Sequence, residues 1–313
     1  MDYVASASAK IILLGEHAVV YGQPSLAVPL SALRTYAQTA TSPSRTGLKL
    51  VASELDNQEI VVDESSQTSD NPLVTAAHML LNHLSCPPPD ATITLHSDIP
   101  IASGMGSGAA ITTSLFRALL YALNKSITYD ELNELVYQVE KIHHGTPSGI
   151  DNTVIVYEQP IYFIRGKPIE RLIINKPFTL LVGDTGVSSS TKIAVGDVRN
   201  LYNSNMELMT EKFNRIGELV KIGRRAIESG DLNSLGNVMS KNHQLLQDLT
   251  VSSPMLDKLV DSAQRSGALG AKLSGAGRGG NMIALVSQEK IDSVKNALLE
   301  AGAVHVYQTV VGN

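Results

Sequence analysis

The stretch SGMGSGAA, residues 103–110, sets glycines at 104, 106 and 108 between two patterned segments. Glycine at every second position lets a backbone turn through positive φ and lets a bulky group come close to its N–H donors. The segment before it, ATITLHSDIP over 91–100, alternates Ile93 and Leu95 against Thr92, Thr94 and His96, which predicts a half-buried strand. The segment after it places Ile111, Leu115, Ala118, Leu119 and Ala122 on one helical stripe. A glycine turn between a strand and a helix gathers unpaired N–H groups and the positive end of a helix dipole at one point, a cradle for phosphate. A plain tight turn is the other reading of the same glycines.

The neighbouring residues exclude two familiar phosphate loops. A Walker loop ends in Lys and Ser or Thr, and none stands there. Gly104, Gly106 and Ala109 match a dinucleotide fingerprint formally, but that motif needs a second strand ending in an acid. The corresponding region instead opens a helix, with Thr128 and Glu131 spaced as a capping box for residues 129–143.

Elsewhere the pattern predicts strands over 4–14 and 24–40, short strands within 42–72, and a helix over 71–84 with Asn71 as its cap and Pro72 in its first turn. Strands are predicted at 153–157 and 160–164, with a domain boundary near 176. Residues 1–176 and 177–313 then form two domains. The second is predicted to hold a strand from 178, helices over about 190–229, 231–249, 254–265 and the segment from 289, and a last strand to 311.

Three further segments carry chemistry. KIILLGEHAVVYG, from Lys10 to Gly22, leaves a strand pattern for Gly15, Glu16 and His17. GAKLSGAGRGG places Gly275, Ala276, Gly277, Gly279 and Gly280 around Arg278, and so many glycines are costly to order unless something approaches the backbone closely. That something is either the first glycine loop or a transferred phosphate. EKIHHGTPSGIDN holds Glu140 near a helix end, His143 and His144 side by side, and Asp151, read as opening a strand. Adjacent histidines point apart on a helix, which argues against a spaced two-histidine zinc site.

A net charge of −5 gives no argument for a nucleic-acid or anionic-membrane surface, though it leaves room for a local cationic phosphate site, and the lone Cys86 permits no internal disulfide. With no basic region followed by a long apolar run at its start, the chain is expected to be cytoplasmic and not membrane-bound.

Taken in order, these segments resemble the GHMP kinases, the superfamily of galacto-, homoserine, mevalonate and phosphomevalonate kinases. KIILLGEHAVVYG resembles the first family motif, PIASGMGSGAA the ATP loop, HHGTPSGIDN the catalytic-aspartate loop, and GAKLSGAGRGG the third motif; DTGVSSSTK (184–192) also resembles a family segment. The resemblance is strongest to the branch that phosphorylates mevalonate, and it covers almost the whole chain. It implies an α+β, two-domain GHMP kinase fold, with an N-terminal domain like ribosomal protein S5 domain 2 and a ferredoxin-like C-terminal domain. It implies ATP-dependent phosphorylation of (R)-mevalonate at its C5 hydroxyl, with Mg²⁺ as cofactor and a homodimer as the assembly. Another small-molecule kinase of the superfamily, or a non-catalytic relative, is the alternative.

Residue by residue, the resemblance makes Asp151 and Lys10 catalytic, with Asp151 either taking the proton or aligning the hydroxyl. Glu16 and His17 would hold the substrate. Gly104, Met105, Gly106, Ser107, Gly108 and Ala109 would hold ATP, Gly275, Ala276 and Gly277 would support the phosphates, and Glu140 would bind Mg²⁺. Two positions depart from the family pattern. Gly108 stands where the family has a serine, so water would replace that hydroxyl on the metal. Arg278 stands where the family has glycine, and its side chain either assists ATP or faces solvent.

Overall fold

The computed structural model describes residues 3–42, 46–52, 58–63, 70–100, 103–144, 147–188 and 190–312. Ile101 and Ala102 of the ATP-loop segment, Gly145 and Thr146 of the aspartate loop, and Ser189 lie outside them, as do the side chains of His143 and His144. The chain folds as two compact units. One takes Met1–Ala9, Leu33–Pro100 and Gly106–Glu158, and the other takes Lys10–Ala32, Ile101–Met105 and Gln159–Asn313. The units interleave along the sequence, whereas the sequence reading divides the chain once, near 176. The cause is the length of two strands, β1 (Tyr3–Leu14) and β2 (Ser25–Thr41), each of which passes from one unit to the other.

In the first unit, β3 (Leu48–Ala52) pairs antiparallel with β4 (Gln58–Val62) and parallel with β5 (Ala91–Ser97), and β5 pairs antiparallel with the C-terminal half of β2. The alternation in β5 is as the sequence predicts, with Ala91, Ile93 and Leu95 buried. Among the described residues four helices complete the unit. In α1 (Pro72–Leu84), Asn71 Oδ1 accepts from Leu73 N–H at 2.9 Å as a helix cap. Next comes α2 (Ser107–Ala122), and then α3 (Tyr129–His144). Glu131 Oε2 accepts from Thr128 N–H at 2.8 Å, and Thr128 Oγ1 accepts from Glu131 N–H at 3.2 Å, closing the expected capping box at the start of α3.

The fourth helix corrects the sequence reading. Residues 153–157 are not a strand but part of α4 (Ile150–Tyr157), which begins at Gly149 in the left-handed region. The β-branched run TVIVY suits either element by pattern alone. A contact distant in sequence favours helix, Asn152 Nδ2 donating to Asn133 Oδ1 of α3 at 2.6 Å, and within the helix Thr153 Oγ1 turns back to Gly149 O at 2.7 Å. At the far end, Glu158 receives Arg34 at 3.0 Å and Arg117 at 2.8 Å, and Arg117 Nη2 also donates to Val156 O at 2.9 Å. One of the last α4 carbonyls is thus capped by a side chain.

In the second unit, β8 (Phe178–Asp184), β9 (Gly270–Ser274), β10 (Asn281–Val286) and β11 (His305–Val311) form an antiparallel sheet in the order β11-β8-β10-β9. Every residue of β8, β9 and β10 is buried, the polar Asp184, Lys272 and Asn281 among them. The short strands β6 (Ile161–Phe163) and β7 (Glu170–Arg171) pair with each other, and β6 pairs with the N-terminal half of β2. The predicted helix over 190–229 is two helices, α5 (Thr191–Ser204) and α6 (Met206–Ser229). They break at Asn205, whose Oδ1 caps α6 through Leu208 N–H at 3.2 Å. α7 (Leu232–Asp248), α8 (Pro254–Arg265) and α9 (Ile291–Glu300) pack against the sheet. Among the described residues no helix is long and apolar enough to cross a membrane.

Candidate active site

The second unit collects the first motif, the approach to the ATP loop and the third motif. β1 runs into Gly15, Glu16 and His17, and Lys10 on that strand is 3% exposed, not a solvated edge charge. The Lys10 N–H donates to Met105 O at 3.0 Å, so the strand bearing the lysine is bonded to the first glycine loop. Gly104 and Gly106 take φ of 79° and 79°, the left-handed turns that the alternating glycines predict.

The second glycine loop lies against the first. Asn281 Nδ2 donates to Ser103 O at 2.6 Å, a Cβ on Gly280 would come within 3.1 Å of that same oxygen, and a Cβ on Gly275 within 3.6 Å of Gly104 O. Support of the first loop, one of the two readings left open by the sequence, has contacts in this structure. Segment 184–192 is laced to the same place: Thr185 Oγ1 donates to Gly280 O at 2.7 Å, and Gly280 N–H donates to Val187 O at 2.8 Å.

His17 is buried, with φ of 61°, and its Nε2 lies 3.0 Å from Ala276 O. Burial pushes its imidazole down to about 4, and the nearby positive charges of Arg278 and Lys272 act in the same direction. A neutral ring facing a carbonyl carries its proton on Nε2, which leaves Nδ1 as an acceptor. His17 can therefore take a hydrogen bond from a hydroxyl but brings no charge to a carboxylate.

Glu16 is 1% exposed. One of its oxygens is paired with the ammonium of Lys272 on β9, and the other has no partner among the described residues. Burial pushes the Glu16 carboxyl up and the Lys272 ammonium down, and each partner opposes the shift of the other. Sequence reasoning missed Lys272. A single lysine between Ala271 and Leu273 gives no sign of full burial, and its partner stands at the other end of the chain.

The first unit holds the remaining predicted residues. Ser107, Gly108 and Ala109 form the first turn of α2, with Gly106 before it. Asp151 is half-buried in the first turn of α4, where an acidic residue complements the helix dipole, so it does not open a strand. Glu140 is buried on α3, which packs against α4. Among the described residues no three His, Cys, Asp or Glu gather as a metal cluster.

The Arg278 side chain is partly exposed. Its guanidinium pairs with Asp197 of α5 beside an open hollow lined also by Asn200, Leu201, Ser204 and Thr250. Its backbone stands at φ 61°, where a non-glycine residue costs about 1–2 kcal/mol. The ion pair is 36% and 41% exposed and contributes no more than about 1 kcal/mol. Arg278→Gly is therefore expected to leave the melting midpoint within about 3 °C of the parent and the KM for ATP within about threefold. A tenfold rise in that KM would return the side chain to the phosphates.

The chain is similar to known kinases along most of its length. Residues 71–159 match the family described as the GHMP kinases N terminal domain, and residues 224–304 match the GHMP kinases C terminal domain. A mevalonate kinase of Thermococcus sibiricus is 34% identical, with 98% of this chain and 95% of the relative covered. One of Pyrococcus horikoshii is 33% identical over 96% and 93%. Among solved structures, the Methanococcus jannaschii mevalonate kinase superposes with a TM-score of 0.86 at 28% identity, covering 99% of this chain and 98% of that one. The L. major mevalonate kinase in complex with R-mevalonate gives 0.84 at 27%, covering 99% and 95%.

Proposed function

The chain belongs to the GHMP kinases, and from that membership we infer that it transfers the γ-phosphoryl group of ATP to the C5 hydroxyl of (R)-mevalonate, giving 5-phosphomevalonate. The observation that carries this reading is the bond between the strand of Lys10 and the glycine loop, in a chain similar over nearly its whole length to mevalonate kinases.

Phosphoryl transfer asks a protein for alignment and charge stabilisation more than for covalent chemistry. In this reading Asp151 orients the C5 hydroxyl and receives its proton as the new O–P bond forms and the bond to the ADP oxygen breaks. Lys10 stabilises the negative charge that develops on the oxygens in transfer. The N–H groups of Gly106, Ser107, Gly108 and Ala109, at the head of α2, hold the phosphates, with Gly104 and Met105 setting the turn and Gly275, Ala276 and Gly277 backing it. His17 accepts a hydrogen bond from a substrate hydroxyl through Nδ1. Glu16, closed in with Lys272, acts by holding the loop.

The donor set fits Mg²⁺. This ion takes one or two carboxylates and fills its shell with phosphate oxygens and water, and the first unit offers Glu140 and Asp151 on two packed helices without a protein cage. Glu140 would hold it, and the ion would supply neutralising charge on the phosphates. A cytoplasmic setting, which suits the free thiol of Cys86, and a homodimer complete the proposal.

The test is ADP release by the purified protein with ATP and Mg²⁺ over mevalonate, phosphomevalonate, galactose and homoserine. Mevalonate is expected to give the highest kcat/KM, and removal of Mg²⁺ by chelation is expected to abolish turnover. Preference for another acceptor, or no turnover with any, would overturn the assignment.

A further inference from the structure

Lys272 has no role in the chemistry above, yet it is the most constrained charge in the second unit. It lies in the middle of a wholly buried strand and is itself fully buried. Its ammonium has two acceptors, the carboxylate of Glu16 and the carbonyl of Leu273. The strand around it is fastened to the first motif a second time, because Ser274 Oγ donates to Ile12 O at 2.9 Å. It is fastened behind by His243 of α7, whose Nδ1 accepts from Leu273 N–H at 3.3 Å and whose Nε2 lies 3.2 Å from Asp257 of α8. Immediately after Glu16, the chain enters a left-handed residue, His17, whose ring is held by Ala276 O. Non-glycine residues persist in that conformation only where their surroundings over-determine it.

A buried ion pair of this kind is weak support for stability, since two charges lose their water. What it does give is a fixed geometry. We propose that Lys272 is a positioning residue for substrate binding: by pairing with Glu16 it locks the Gly15–Glu16–His17 loop so that the imidazole Nδ1 faces the acceptor alcohol. This rests on the kinase reading above, with the first motif at the alcohol and the glycine loops at ATP.

The experiment uses the full chain and three variants, Lys272→Met, Glu16→Gln and the double variant. Lys272→Met keeps length and removes the charge. It is expected to raise the KM for mevalonate at least about tenfold while the KM for ATP stays within about threefold. It also removes the paired counter-charge of buried Glu16 and leaves only the weaker field of Lys10 to oppose its burial, so that its carboxyl rises further. A buried acid with a raised pKa makes the folded state bind more protons than the unfolded one, so stability is highest in acid and is lost as the pH rises toward the raised value. The melting midpoint of Lys272→Met should therefore fall more steeply than that of the parent as the pH rises above the ordinary carboxylate range. Adding Glu16→Gln should remove the extra slope.

If Lys272→Met does not fold, the double variant, which buries no charge, carries the kinetic arm. It is expected to fold and to keep the raised KM. A KM for mevalonate within twofold of the parent in either variant, or a melt of Lys272→Met parallel to that of the parent, would overturn the proposal. The melts need no substrate. A parent that turns over no mevalonate overturns the reaction proposed above, whereas parallel melts overturn the pairing whatever the acceptor.

Discussion

Asp151→Asn is expected to lower kcat with mevalonate by about 10²–10⁴-fold, the range for loss of a general base. The change keeps the size of the side chain and one acceptor oxygen and removes the charge. Asp151 is in the first turn of α4, where loss of its charge costs about 0.3–1 kcal/mol of helix-dipole interaction, and three bonds that hold that helix come from its neighbours: Asn152 to Asn133, Thr153 to Gly149, and Ile150 N–H to Ser148 Oγ at 3.3 Å. None of them is touched, so the melting midpoint should stay within a few degrees of the parent. The KM values for mevalonate and ATP should also stay within about threefold, because Lys10, His17 and both glycine loops are unchanged. An aspartate that merely served the helix would show the reverse, a lower melting midpoint with turnover per folded molecule preserved.

Gly277→Ala is expected to be the most damaging single methyl in the second unit. Gly277 has φ of 81°, and a Cβ there would overlap the carbonyl oxygen of Val251. That oxygen also accepts from Arg278 N–H at 2.7 Å, so the backbone cannot move away without losing the bond. The left-handed strain costs about 1–2 kcal/mol, and overpacking costs about 1–3 kcal/mol more. About 3 kcal/mol in total corresponds to a fall of roughly 6–12 °C in the melting midpoint. Because this loop backs the first glycine loop through Asn281 and Ser103, the KM for ATP should rise as well. Arg278→Gly, one residue away, removes a larger side chain yet is expected to do little. The contrast separates a loop needed for its backbone from one needed for its charge.

How far the sequence carries depends on the range of the interaction that decides each element. Helix starts set by a side chain two or three residues away, Asn71 for α1 and the Thr128–Glu131 box for α3, are legible because cause and effect share one short segment. The same holds for the glycine loop, whose left-handed turns follow from residue type. α4 was not legible as a helix. Its β-branched residues suit a strand, and the bond that pins it to α3 joins residues 19 positions apart. Arg278 follows the same rule over 81 positions, finding Asp197 on a helix that the sequence reading had merged with the next. Lys272 and Glu16, 256 positions apart, are the extreme case. Within the candidate site, the residues of local motifs were named from the sequence, whereas the partners that fix their orientation, Lys272 and the Ala276 carbonyl, are assembled only by the fold.

The proposed reaction phosphorylates the oxygen of the C5 hydroxyl of mevalonate. Mevalonate carries a second, tertiary alcohol, and the motif that holds Asp151 does not by itself choose between the two. The direct measurement is phosphorus-coupled carbon NMR of the product made from carbon-13-labelled mevalonate, ATP and Mg²⁺. One phosphate ester is expected, with phosphorus coupling at the C5 methylene. Coupling at the quaternary carbon and its neighbours instead, with the C5 signal unsplit, would contradict it.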